Sequence, residues 1–384
     1  MDKVLIDYTY YQFGTYHGGG EYGDVVLRRL LEIKDVSFGL LFFSNMPLRQ
    51  ELATKCQEAG WNIHTITSFQ ELPKILSDNG YNRYYSALPY QSGLDNVYLP
   101  EQVEFVATYH GLRFIELTDF EGIANGQFFG LQDHDAMVEA YKVYKDALCM
   151  TTNRRIITVS EHSKYSLIQY FPSLADEKIE VLYSPLKRTP KDLPDENELL
   201  KSLNISSGNY ALLISAGTWY KNALNAIVAY DIIFDAGYPF IPKDYKVVIL
   251  GAAGDEDLQS SVRHKERFIF PPFQPVEALE LLYKCAHLFV FPSLNEGFGY
   301  PPVEAMKYGT ICACAADTSI TEICRDMVLY FNPMFIGEIV NRLLQSFSKD
   351  IRSNMQKRMQ KLDEIFERQQ KDLDRLIDII AYGK

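Results

Sequence analysis

Short runs of apolar residues recur along the chain at residues 4–6, 39–43, 103–109, 156–159, 211–215, 246–250, 288–291 and 311–315. A run that is apolar at successive positions suits a strand covered on both faces, as in a parallel sheet. Between these runs the spacing changes. Residues 24–33 (DVVLRRLLEI), 163–170 (SKYSLIQY) and 276–284 (VEALELLYK) repeat their apolar positions at three and four, the spacing of one buried helical face. Strand and helix patterns that alternate in this way predict an α/β architecture.

The alternation is interrupted once. From Ser184 to Gly208 prolines and charges cluster and the apolar period weakens, and a second strand and helix series restarts at Tyr210. At 384 residues the chain has room for two domains with separate cores. We therefore expect a first domain at 1–184, a linker at 185–207, a second domain at 208–360 and a helix at 361–384 that packs back on the first domain. Residues 351–380 read as one or two amphipathic helices.

Composition narrows the classes. Hydrophobic residues at 47% and charged residues at 23% lie in the globular range. The 50 acidic residues against 38 basic ones give a net charge of -12, and no dense Lys/Arg run offsets it, so nucleic acid is not an expected partner. Cys56, Cys149, Cys285, Cys312, Cys314 and Cys324 form no CxxC pair, and the N-terminus MDKVLIDYTYYQF shows no secretory pattern. A reduced, cytoplasmic setting is expected, with the cysteines as small core residues. No apolar stretch is long enough to span a bilayer, and peripheral contact at the inner membrane face is left open.

There is no Walker A loop, no GxGxxG after the first strand, no HExxH and no GxSxG, which argues against nucleotide hydrolases, nicotinamide dehydrogenases, zinc proteases and serine hydrolases. Asp133-His134-Asp135 fits DxD, but such a tripeptide is common by chance. No metal and no cofactor is expected.

The segment from Phe291 to Thr310, FPSLNEGFGYPPVEAMKYGT, has a different character. A strand ends, a turn carries Glu296, Gly297 and Gly299, and Pro301-Pro302 opens a helix. Helix N-termini bind phosphates, and carboxylates accept two bonds from vicinal hydroxyls. The amides from Gly299 to Val303 are expected to face an anion. Glu296 and Glu304, on loop and helix, suit two ends of one ligand.

This segment resembles the EGFGxPxxEAMxxG motif of the family-4 retaining glycosyltransferases. The resemblance implies the GT-B fold, two Rossmann-like domains with a cleft between them, and a C-terminal helical segment. It implies sugar contact by Glu296, ribose contact by Glu304 and donor contacts from Gly297, Phe298, Gly299 and Tyr300. Other segments are similar to the same family in the same order. SAGTWYKNA at 215–223 implies donor contacts from Gly217, Lys221 and Asn222, with Lys221 facing the diphosphate. An Arg is common where Tyr220 stands, so Arg113 or Arg263 would have to complete the neutralisation. ATYHGLR at 107–113 implies a role for His110 in polarising a hydroxyl or stabilising the leaving phosphate. HGGGEY at 17–22 resembles a Gly-Gly loop and implies backbone approach at Gly19 and Gly20. VSEHSK at 159–164 and TSITEICRDMVLYFNP at 318–333 also match, with Thr321 in place of proline and Arg325 in place of glycine.

The resemblance implies a metal-independent hexosyltransferase with His110, Glu296 and Lys221 as its catalytic residues. It would move mannose, rhamnose, glucose or a similar hexose from a nucleoside diphosphate sugar to a saccharide or lipid-linked saccharide, in surface polysaccharide, O-antigen or capsule synthesis. The alternative is a catalytically silent scaffold in such an assembly. Tyrosines crowd the first loop (Tyr8, Tyr10, Tyr11, Tyr16, Tyr22) and residues 81–90 (Tyr81, Tyr84, Tyr85, Tyr90), and some are expected to line an acceptor groove.

Overall fold

A computed structural model describes residues 2–9, 18–46, 50–117 and 134–384. The chain divides into two compact units, one drawn from residues 1–118, 132–188 and 366–384 and the other spanning 189–365.

The first unit is built on seven strands: β1 (Lys3–Asp7), β2 (Ser37–Phe43), β3 (Asn62–Ile66), β4 (Arg83–Ser86), β5 (Glu104–Tyr109), β6 (Arg154–Thr158) and β7 (Ile179–Val181). They lie in the order β3-β2-β1-β4-β5-β6-β7, all parallel. The second unit has six: β8 (Tyr210–Leu213), β9 (Lys246–Ile249), β10 (Phe268–Ile269), β11 (Leu288–Phe291), β12 (Cys312–Ala315) and β13 (Leu329–Phe331). Their order is β10-β9-β8-β11-β12-β13, again all parallel. Both units are Rossmann-like.

The buried runs in the sequence became central strands because helices cover both faces of each sheet. Leu212, Phe289 and Val290 are wholly buried; side chains of this kind each contribute about 1.5–3 kcal/mol when removed from water. Two of the strands with no clear apolar run have visible reasons. β3 is an edge strand whose side chains are largely accessible, and β10 is two residues long.

Several boundaries differ from expectation. The first helix runs from Gly18 to Leu30, not 24–33, so the triple glycine is its first turn instead of a loop. First-turn amides have no intrahelical acceptor, which reduces what glycine costs there. Residues within the expected linker form the helix Glu196–Ser202, started by Asp195, whose carboxylate accepts the Glu198 N–H at 2.9 Å. Cys149 is exposed, whereas the other five cysteines are buried, all of them free.

The last helix, Leu362–Tyr382, belongs from Phe366 onward to the first unit. Asp372 accepts the Tyr183 N–H at 2.8 Å, Gln369 donates to the Ser184 carbonyl at 2.6 Å, and Arg83 donates to the Ile380 carbonyl at 3.1 Å. No described helix is long and apolar enough to cross a membrane.

Arg325, at the position where the resembling motif has glycine, adopts φ 47° and ψ -127°. Such a backbone costs a side-chain-bearing residue about 1–3 kcal/mol. Its guanidinium meets Glu364 at 2.6 Å, but both side chains are well exposed, and such pairs contribute about 0–1 kcal/mol. Arg325→Gly loses that pair and adds about 0.5–1 kcal/mol of unfolded-state entropy. The balance favours glycine, and thermal unfolding of Arg325→Gly should show a Tm about 2–4 °C higher. A lower Tm would mean the turn is not strained.

Candidate functional site

In the second sheet the strand order reverses between β8 and β11, and ligands of open α/β sheets bind beyond the carboxyl ends of the strands at such a reversal. The loops that leave these two strands are knitted together. Leu294 N–H donates to the Tyr220 carbonyl at 2.8 Å, and the buried Asn222 amide donates to the carbonyls of Pro333 at 2.9 Å and Pro292 at 3.3 Å. Asn225 also donates to the Pro333 carbonyl, at 2.8 Å. Asn222 thus spends its amide on holding three loop segments together, and its left-handed backbone (φ 54°) starts the helix Ala223–Ala236.

These loops bring Lys221 and Glu296 into direct contact. Lys221 Nζ donates to Glu296 Oε1 at 2.5 Å, with side chains only 12% and 9% exposed, and Ser293 Oγ donates to the same oxygen at 2.6 Å. The ammonium also lies 5.0 Å from the centre of the Phe291 ring and 5.2 Å from that of Tyr220. Partial burial strengthens the pair relative to one in water. An ammonium carries three donors, so one lysine can serve a carboxylate and a phosphate together.

Gly299 begins the helix Tyr300–Lys307 with φ 94°, and a Cβ there would meet Ile320 Cδ1 at 2.5 Å. Only glycine fits. The expectation that the amides from Gly299 to Val303 receive an anion has to be narrowed. Pro301 and Pro302 carry no N–H, so Tyr300 is the only amide donor in the first three helical positions. The helix Ala223–Ala236, which Asn222 separates from Lys221, starts without proline and without a side-chain cap, so its first turn carries more N–H donors.

One turn inside the Tyr300–Lys307 helix, Glu304 is half-buried and accepts the Tyr283 hydroxyl at 3.3 Å. Burial, followed by the neighbouring Glu304 charge, pushes the Tyr283 phenol well above its ordinary pKa and keeps it a donor. Gly297 is buried, and Phe298 and Tyr300 pack on each other with ring centres 5.2 Å apart, both buried.

Gly217 lies where the loops after β8 and β9 approach. Its N–H donates to the Gly251 carbonyl at 3.0 Å, and a Cβ would meet that oxygen at 2.4 Å. A cavity of about 670 Å³ opens there, lined by Gly217, Gly251, Ala252, Gly254, Asp255, Glu256 and Asp257. Among the described residues, six non-glycines have positive φ, and three of them, Ser215, Asn222 and Thr318, stand in the loops around Lys221 and Glu296. Strain of this kind gathers at functional sites.

Arg263 is held elsewhere. It meets Asp235 at 2.7 Å and Asp231 at 3.8 Å. Asp231 is the ninth residue of its helix, about 12 Å along the axis from the first. Lys221 is therefore the cation that the site loops themselves supply.

In the first unit, His110 follows β5 and donates from Nε2 to the Ala87 carbonyl at 2.9 Å, while Tyr22 packs edge-on at 4.6 Å. Gly19 and the buried Gly20 lie in the first turn of the Gly18–Leu30 helix, and Arg113 opens the short helix Arg113–Glu116. Most of the expected acceptor tyrosines are core residues. Tyr8, Tyr22, Tyr81, Tyr84 and Tyr85 are buried, and Tyr90 is half-buried and stacked on Tyr144 at 4.5 Å. Tyr10, Tyr11, Tyr16 and His17 lie outside the described residues, as does Asp133.

The residues that support the carboxylates carried no role in the sequence. Ser293, three positions before Glu296, and Thr318-Ser319 lie within the matched segments; Tyr283 sits on a separate helix with no local signal.

Comparison with known proteins gives this geometry a family. Residues 195–364 match the model of the group 1 glycosyl transferases. The O-antigen chain mannosyltransferase B of Escherichia coli is 28% identical over 267 residues, 66% of this chain and 64% of that protein. The chain thus spans somewhat less than two thirds of that relative's length. Among solved structures, a glycosyltransferase from Rickettsia africae aligns over 100% of this chain and 99% of its own at a TM-score of 0.66 and 12% identity. HepE of Anabaena, in complex with UDP-glucose, aligns over 98% and 99% at 0.62 and 15%. Residues 195–364 of this chain are therefore similar to the group 1 glycosyl transferases, and its two parallel sheets have the GT-B fold.

Proposed function

We propose that the protein is a metal-independent hexosyltransferase of surface polysaccharide synthesis, using a nucleoside diphosphate sugar as donor and a saccharide or lipid-linked saccharide as acceptor. The observation that carries this reading is the Lys221–Glu296 pair at the reversal between β8 and β11, with Lys221 two residues before the helix Ala223–Ala236 and Glu304 eight residues after Glu296. It is supported by the family of residues 195–364 and by the mannosyltransferase relative.

In this reading Lys221 Nζ and the first amides of the Ala223–Ala236 helix take the diphosphate, Glu304 takes the ribose hydroxyls and Glu296 takes hydroxyls of the hexose. The Glu296 carboxylate, already bound by Lys221 and Ser293, is an acceptor for sugar hydroxyls and not a nucleophile. Retention then follows from front-face attack. The acceptor oxygen bonds to the anomeric carbon as the bond to the phosphate oxygen breaks, and that oxygen takes the acceptor proton. Lys221 stabilises the charge that develops on the leaving diphosphate. His110 polarises a hydroxyl or steadies the leaving phosphate.

A thermal-shift comparison of UDP, GDP, dTDP and their sugars tests the donor class. One nucleotide family, at a hundredfold excess over Kd, should raise Tm by about 5–10 °C. No shift with any of them, together with no hydrolysis of any sugar donor, would contradict the enzyme reading and favour a silent scaffold.

A further inference from the structure

Glu296 is gripped by its main chain as well as by its side chain. Its N–H donates to Thr318 Oγ1 at 3.0 Å, and its carbonyl accepts from Ser319 Oγ at 2.8 Å. Both residues follow β12, Thr318 as the cap and Ser319 as the first residue of the helix Ser319–Cys324, on a segment separate from the loops of Lys221 and Ser293. Ser319 is wholly buried and Glu296 nearly so.

Thr318 reaches this contact at a cost. Its φ of 47° and ψ of -135° form a conformation open to glycine and strained for a β-branched residue. Asp317 Oδ1 accepts the Thr318 N–H at 2.8 Å and helps to hold the turn. A glycine would take the same backbone without strain, but it has no hydroxyl to meet the Glu296 amide. Arg325 makes the contrast: it has nearly the same backbone, yet its side chain pairs with Glu364 away from this contact.

We propose that Thr318 and Ser319 are positioning residues that fix the main chain of Glu296, and with it the carboxylate that receives the donor sugar. The proposal rests on the functional reading above. A sugar-orienting carboxylate must be held to a fraction of an ångström, and a loop with glycines at 297 and 299 does not achieve that alone.

Thr318→Gly separates positioning from ordinary structural support, because it relieves backbone strain while removing the hydroxyl. The test measures Tm, amide hydrogen exchange at Glu296, nucleotide affinity and turnover of GDP-mannose, UDP-glucose and dTDP-rhamnose. Thr318→Gly should keep or raise Tm and leave nucleotide affinity within about threefold, yet exchange faster at Glu296 and lose about ten- to a hundredfold in kcat. Ser319→Ala should lower kcat in the same direction, and Thr318→Ser should rescue both exchange and turnover. Faster exchange with unchanged kcat in Thr318→Gly overturns the proposal while leaving the functional reading intact, and unchanged exchange overturns it as well. A wild-type protein that neither binds nor consumes any donor sinks the functional reading and the proposal together.

Discussion

Lys221→Met should lower turnover about a hundred- to a thousandfold, the loss typical when one preorganised electrostatic group is taken from a transition state. It should also destabilise the second unit by about 3 kcal/mol or more, because the Glu296 carboxylate is left nearly buried without its cation. The two effects are separable. Lys221→Met combined with Glu296→Gln removes both charges, keeps an oxygen for Ser293 Oγ, and should recover most of the lost stability. It should recover none of the lost turnover. Unfolding of the wild type, both single variants and the double variant gives the coupling energy directly. Equal Tm values for Lys221→Met and the double variant would mean that the pair is not coupled and that Lys221 acts only as a surface charge.

The second large effect is a division between the two glutamates. Glu296→Gln should reduce kcat about a hundredfold and leave the Kd for the nucleoside diphosphate within about threefold, since its hydroxyl contacts strengthen as the sugar is transferred. Glu304→Ala should do the reverse. Losing a charged acceptor for ribose hydroxyls costs about 1.5–3 kcal/mol of binding, roughly ten- to a hundredfold in Kd. Its kcat at saturating donor should change little. Titration with the nucleoside diphosphate and steady-state kinetics with the matching sugar measure both. The same loss pattern in the two variants would contradict the assigned roles.

Much of this was legible along the chain. Buried parallel strands are mostly apolar on both faces, so β1, β2, β5, β6, β8, β9, β11 and β12 announced themselves as continuous runs, whereas the central, buried β4 pairs its polar Arg83 and Ser86 with Glu104 and Asp7 and left none. Edge strands escape that demand, and β3 and β10 accordingly left no clear trace. The glycines and acids of EGFGYPPVE were readable for a similar reason. A turn at φ 94° against Ile320 admits only glycine, and no apolar residue substitutes for a carboxylate that meets hydroxyls.

The limits are equally physical. The tyrosines looked like sugar platforms, but a phenol with a nearby partner, such as Tyr81 with His64 at 2.7 Å, is at home in a core. The prolines at 301 and 302 marked the helix start correctly and, for lack of N–H groups, left its first turn fewer donors than the helix after Lys221 has.

By itself, then, the sequence determined the two α/β series, the residue types at the site and their order, because these depend on local periodicity and on the chemistry of single side chains. Only the tertiary structure decided that Lys221 and Glu296, 75 positions apart, form one pair, and that Thr318, Ser319 and Tyr283 hold the two glutamates. Those relations arise where the strand order reverses between β8 and β11, and hydrogen bonds across loops that are distant in sequence leave no period to read.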